Sequence, residues 1–190
     1  ALTAAQRIFA ANGLVVVDVQ ELPTHGGSLR VFAARADAAA HPQATPEGAA
    51  RVAQLLATEA AAGMLGDAFY SDFQPQALRI KRELLSFLLQ CQADGLTVGA
   101  YGAAAKGNTL LNFAGVRPDL LPYVVDKNPA KQGQYLPGSR IPIVDEAHLR
   151  THRPDRVLIL PWNLRDEVAA QMEDVRGWGG QFVVAVPQLE

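Results

Sequence analysis

Apolar positions recur along this chain with two different periods, and the change of period divides it. Residues 4–11 read as a short helix that stops at Asn12-Gly13, a common C-terminal signal. Residues 14–19 and 28–34 are apolar and rich in β-branched side chains. The short break from Pro23 to Gly27 between them predicts an antiparallel hairpin. Residues 37–45 are Ala-rich with prolines and read as a connector. Thr45-Pro46-Glu47 then places a cap, a Pro at the first helical position and an acid in the first turn. Val52, Leu55, Leu56 and Ala60 follow at helical spacing. A further helix is expected from near Ser71, with Gln74 completing a capping box and Leu78, Leu84, Leu85, Phe87 and Leu88 on its apolar positions.

Beyond Gly95 the pattern shortens. Residues 96–101, 123–126, 156–160 and 181–186 are apolar runs of strand length, separated by helical stretches at 103–113, 145–150 and 163–172, the last capped by Asn163. A Pro- and Gly-rich loop covers 128–142. Strands that alternate with helices and are apolar on both faces predict a parallel sheet covered on both sides. The expected class is α/β: a Rossmann-like sheet with helices on both faces, preceded by an antiparallel hairpin and two helices.

Composition narrows the possibilities. The chain has 190 residues, 49% hydrophobic and 19% charged, with a net charge of −2, which is an ordinary balance for a packed domain. Without a basic stripe, a nucleic-acid partner is not expected. The apolar run at 157–162 is far too short to span a bilayer, so no membrane partner is expected either. Cys91 is the only cysteine and forms no internal disulfide, so a cytoplasmic location is the expectation. No signal-peptide pattern opens the chain, and no His/Cys cluster has metal-ligand spacing. The first residue is Ala rather than Met, which suggests a piece of a longer protein.

Five stretches carry candidate chemistry. In Gly99-Ala100-Tyr101-Gly102-Ala103-Ala104-Ala105-Lys106-Gly107-Asn108-Thr109, small residues follow a strand and open a helix. Backbone can approach an anion there, the first N–H groups of the helix point at it, and Lys106 adds charge. The spacing is neither the dinucleotide nor the Walker pattern, and a tight turn packed on the sheet would use the same residues. Asp126 ends the next strand, about 24 residues on, where doubly wound folds hold a ribose hydroxyl; a cap or loop turn is the equal alternative. The loop with Lys131 and Tyr135 is polar and lies after a strand. Trp162 offers a stacking surface or a lid on the core, and Asn163 a cap or a contact. His25, in Thr24-His25-Gly26-Gly27-Ser28, is either an acid/base group or a polar turn residue. His41, His148 and His152 read as surface residues.

In this order, Thr24-His25-Gly26-Gly27-Ser28-Leu29-Arg30, the run from Gly99 to Asn108, Val124-Val125-Asp126-Lys127-Asn128-Pro129, Lys131-Gln132-Gly133, Tyr135-Leu136-Pro137-Gly138 and Leu160-Pro161-Trp162-Asn163 resemble the C-terminal part of nucleotide-sugar C-methyltransferases. This is the group that includes deoxysugar C-3 methyltransferases. The resemblance implies a three-part protein. A zinc-binding segment comes first, then a domain that binds S-adenosylmethionine, then a Rossmann-like domain that anchors a nucleotide-diphosphate sugar, most simply a dTDP-sugar. Residues 1–36 would be the tail of the S-adenosylmethionine domain, 37–94 a helical connector and 95–190 the substrate domain. The resemblance assigns the diphosphate or sugar to the Gly99–Asn108 loop; together with the candidates above, the expected substrate-binding residues are Gly99, Tyr101, Gly102, Ala103, Lys106, Asn108, Asp126, Lys131, Tyr135, Trp162 and Asn163. It lines the cleft with His25, Gly26, Gly27 and Ser28. The catalytic base would lie upstream of Ala1, with His25 at most accessory, so this stretch alone would not methylate. The full reaction would make an enolate from a keto-deoxysugar and methylate its carbon. A nicotinamide-dependent oxidoreductase, a domain that itself binds S-adenosylmethionine, and a non-catalytic interaction module are the competing expectations.

Overall fold

Strands buried on both faces in the second half, with helices packed on either side, produce a three-layer arrangement there. The computed structural model describes residues 1–38 and 44–190, so His41 and part of the expected connector lie outside the described residues. The chain divides into two compact units, Ala1–Phe73 and Gln74–Glu190.

In the first unit, α1 (Leu2–Ala11) leads into β1 (Leu14–Leu22), which pairs antiparallel with β2 (Ser28–Arg35). The register shifts between Val16 and Asp18, a bulge that the alternation did not signal. Helix α2 (Pro46–Ala61) starts as expected, with the Thr45 hydroxyl accepting from Gly48 N–H. Leu2, Val16, Val19 and Val52 form its small core. Two carboxylates of this unit are committed to structure. Glu59 accepts from the N–H groups of Leu2 and Thr3 and from the Thr3 hydroxyl, closing the N-terminus of α1. Asp18 takes a two-pronged grip from the Arg51 guanidinium at 2.7–2.8 Å.

Helix α3 (Phe73–Ala93) opens the second unit's fold. The segment expected as one connector, 37–94, thus supplies α2 to the first unit and most of α3 to the second. The capping box expected at Ser71 does not form. The Ser71 hydroxyl donates instead to the Ala68 carbonyl, inside a preceding 3-10 turn.

The strands β3 (Val98–Tyr101), β4 (Val124–Val125), β5 (Ile143–Val144), β6 (Arg156–Ile159) and β7 (Gln181–Val183) are all parallel, in the order β5-β4-β3-β6-β7. The α/β class with helices on both faces is therefore as expected. Val98, Ala100, Val124, Leu158 and Val183 face one core with Leu84, Leu88 and Leu111. Tyr101, Val125, Val157, Ile159 and Val184 face the other with Leu149, Val168 and Met172. Helices α3 and α4 (Ala105–Ala114) serve the first face; α5 (Glu146–His152), α6 (Arg165–Gln171) and α7 (Asp174–Gly177) serve the second.

Three sequence expectations need correction here. β5 was not expected, because a two-residue strand after a Pro-rich loop leaves no periodicity to read. The last strand stops at Val183; Val184 pairs with Glu190 in both directions instead of continuing the ladder. Asn163 does not cap a helix: it sits in a 3-10 turn over Trp162–Leu164, and α6 begins only at Arg165 without a side-chain cap.

Candidate functional site

In the second unit the order of strands reverses direction between β3 and β6, the first and fourth in sequence. Open parallel sheets take ligands at the carboxyl ends of strands at such a point. The carboxyl end of β3 is the Gly102–Ala104 turn and that of β6 is Leu160-Pro161-Trp162-Asn163. Their close approach explains two glycines. A side chain on Gly102, which has φ +90°, would meet Pro161 Cδ at 2.5 Å, and one on Gly107 would meet Leu160 Cβ at 2.5 Å. Helix α4 then starts. Its first internal bond is Asn108 N–H to the Ala104 carbonyl, so the N–H groups of Ala105, Lys106 and Gly107 have no acceptor within the helix. They carry the positive end of the helix dipole.

Two lysines flank this turn. Lys106 donates to Asn163 Oδ1 at 2.7 Å, across the β3–β6 crevice, and its ammonium lies 5.5 Å from the centre of the Trp162 ring. Lys131 donates at 2.9 Å to the Ala103 carbonyl and at 2.9 Å to Asp126 Oδ2. Asp126 is buried, and its carboxylate also accepts from the N–H groups of Ala103 and Asn128, both at 2.9 Å. Gln132 adds a bond to the Asp126 carbonyl. Asp126 therefore ties the Gly-rich turn to the loop after β4. Three of about four acceptor positions on that carboxylate are taken, too few left to grip a ribose diol.

The structure brings Gly102, Ala103, Lys106, Asp126, Lys131, Trp162 and Asn163 together at one edge of the sheet. Other expected residues have surroundings of their own. Gly99 lies inside β3, where a side chain would meet the Tyr123 hydroxyl at 2.7 Å; its smallness serves the ring packed on it. Tyr101 is buried with its hydroxyl donating to Glu146 and accepting from Gln171, on the face of α5 and α6. Burial, then the Glu146 carboxylate, push its phenol well above the ordinary range. Asn108 is half-buried and accepts from Asn112 within α4. Tyr135 is 65% exposed in the loop after β4, beside a bridge to Pro142. His25, Gly26, Gly27 and Ser28 belong to the first unit, where residues 24–26 form a 3-10 turn and the Ser28 hydroxyl donates to the Thr24 carbonyl. Sequence reasoning missed Asn112, which donates to the Pro137 carbonyl and pins the long loop to α4; an asparagine mid-helix gave no signal.

A cavity of about 430 Å³ adjoins the crevice, lined by Trp162, Asn163, Arg165, Val184 and Val186 among others. A larger one, about 510 Å³, lies at the opposite, amino edge of the sheet between Leu88, Val98, Tyr123, Val144, His148 and His152. Among the described residues no Lys or Arg lines it, and Asp119 does. Burial and the neighbouring His152 hold the His148 imidazole below its usual pKa, so it offers no positive charge to an anion at neutral pH. His148 is half-buried, not the surface residue expected: it stacks on His152 at 3.8 Å and meets the Tyr123 ring edge-on. Among the described residues, no three His, Cys, Asp or Glu side chains gather as metal ligands would, and no helix is long and apolar enough to cross a membrane.

Comparison with known proteins agrees with the resemblance read from the motifs. Residues 23–187 match the family model described as the C-methyltransferase C-terminal domain. The C-methyltransferase NovU of Streptomyces niveus is 36% identical over 181 residues, covering 95% of this chain and 42% of that relative. The chain thus spans about two fifths of the length of the curated relative it matches. It belongs to the C-methyltransferase C-terminal domain family.

Proposed function

We propose that the second unit anchors the diphosphate of a nucleotide-sugar during C-methylation by a longer protein. The observation that carries this reading is the carboxyl edge at the β3–β6 switch point. There, three N–H groups of α4 without helical acceptors and the Lys106 ammonium converge beside Trp162. Family membership supports methylation at carbon, and the printed name of the relative is that of a C-methyltransferase. In this reading the substrate is a keto-deoxysugar carried on dTDP, and Trp162 offers a surface for the sugar or the base.

The remaining chemistry belongs to residues outside this chain. Methyl donation by S-adenosylmethionine, removal of the proton beside the keto group, the enolate and any zinc segment are assigned there. The first unit, with its helix and hairpin, is read as the end of the donor-binding domain. The second unit does not fit an adenosine-bearing cofactor, because Asp126 is committed to Ala103, Asn128 and Lys131. Within this unit, Lys106 and the N–H groups of Ala105 to Gly107 hold phosphate oxygens, Asp126 fixes the turn that presents them, and Lys131 locks that carboxylate.

Calorimetric titration of the chain with dTDP, NAD and S-adenosylmethionine separates the readings. Binding of dTDP with no heat from the other two is expected. Binding of NAD or S-adenosylmethionine without dTDP would overturn the proposal.

A further inference from the structure

The two lysines at the turn are held by acceptors of different kinds. Lys131 sits on a carboxylate that is itself fixed by two N–H groups. Lys106 sits on a neutral carboxamide, Asn163 Oδ1, carried on a three-residue turn after β6. Both bonds have an ionised donor, but only an ionised acceptor adds the attraction between two opposite full charges to the hydrogen bond, and a neutral amide dipole does not. A phosphate oxygen therefore outcompetes the amide oxygen of Asn163 for Lys106, but does not outcompete Asp126 for Lys131. The Lys106–Asn163 bond also crosses the crevice between the ends of β3 and β6, which is where an anion on the N-terminus of α4 would settle.

The geometry points to Asn163 as a stand-in acceptor: its oxygen holds Lys106 across the crevice in the free chain and yields it to a phosphate oxygen of the entering nucleotide diphosphate. Asn163 thereby sets the selectivity of the crevice without binding the anion itself. A neutral sugar gains nothing from Lys106 that Asn163 does not already supply, so it leaves the bond in place. A diphosphate gains a full charge pair and opens it. No covalent step is involved. This inference rests on the reading of α4 as the phosphate site and deepens it.

The test is titration of the chain and three variants with dTDP by calorimetry. Asn163→Ala removes the competing acceptor and is expected to bind roughly two- to fivefold tighter, the scale of an exposed charge-assisted bond. Asn163→Asp sets a carboxylate against both Lys106 and the phosphates and is expected to bind at least about tenfold weaker. Lys106→Ala is expected to bind about tenfold weaker. If Asn163→Ala binds with equal or lower affinity while Lys106→Ala weakens binding, Asn163 is no stand-in, and the exchange is wrong although the phosphate site stands. If Lys106→Ala changes nothing, the phosphate site itself fails. Should Asn163→Ala not fold, the side-chain NH2 resonances of Asn163 in the unaltered chain decide. They should move toward solvent-like positions on addition of dTDP, and their staying fixed at saturation would overturn the exchange.

Discussion

The two edges of the parallel sheet each use one aspartate to hold a neighbouring strand, and they differ in what is left over. At the carboxyl edge Asp126 grips the Ala103 N–H, and the same edge carries three N–H groups with no acceptor inside α4, the Lys106 ammonium on Asn163 Oδ1 and the Trp162 ring. At the amino edge Asp155 grips the N–H and hydroxyl of Thr97 at 2.7 Å, which holds its carboxyl below the usual range. What remains there is a larger cavity walled by prolines, leucines, Tyr123 and a stacked imidazole pair. Cavity size alone would select the amino edge. Positive charge and the N-terminal N–H groups of α4 select the other, and for an anionic ligand they decide, because burying a phosphate without partners costs far more than a wide pocket returns.

The largest expected effect comes from closing the carboxyl edge. Gly102→Val places a branched side chain at φ +90° against Pro161, and the strain and overpacking together should cost about 3 kcal/mol. Urea denaturation should show the loss as a lower midpoint; an unchanged midpoint would mean that the turn and the end of β6 are not packed together. Next in size is the contrast between the edges. Lys106→Ala should weaken dTDP binding by about 1.4 kcal/mol, tenfold, while His148→Ala should leave affinity within about twofold. Equal losses would erase the distinction between them.

The smallest effect concerns the amino edge alone. The Tyr123 hydroxyl is buried with no hydrogen-bond partner among the described residues, and burial pushes its phenol up to about 12. Tyr123→Phe should therefore gain about 1 kcal/mol and leave dTDP binding unaltered. Because the folded value lies above the ordinary value near 10, the neutral phenol's contribution is complete below about pH 10 and is lost as pH rises toward the folded value. The variant should lose this alkaline limb in a pH series of unfolding; a limb that persists unchanged would assign it to another group.

Much of the fold was legible because its signals were strong and local. The Pro46 start of α2 and the double-faced apolar runs of β3, β4 and β6 each follow from a few adjacent residues. The two-residue β5 lacked length, and Asn163 carried a capping residue type without becoming a cap. At the site, the Gly-rich turn and Lys106 were legible as a set, but the reasons for single residues were not. Gly99 is small because Tyr123, 24 positions away in sequence, lies over it, and Gly107 because Leu160 does. The readings of Asp126 as a ribose acceptor and as a loop anchor were equal in sequence, since only the fold reveals which donors surround it.

The backbone amide spectrum of the chain, followed by NMR during a dTDP titration, tests the central claim most directly. The account predicts shifts concentrated at Ala103, Ala105, Lys106, Gly107 and Asn163, with Thr97, Tyr123, His148 and His152 unmoved. Shifts centred on the amino-edge residues, or no shifts at saturating dTDP, would contradict it.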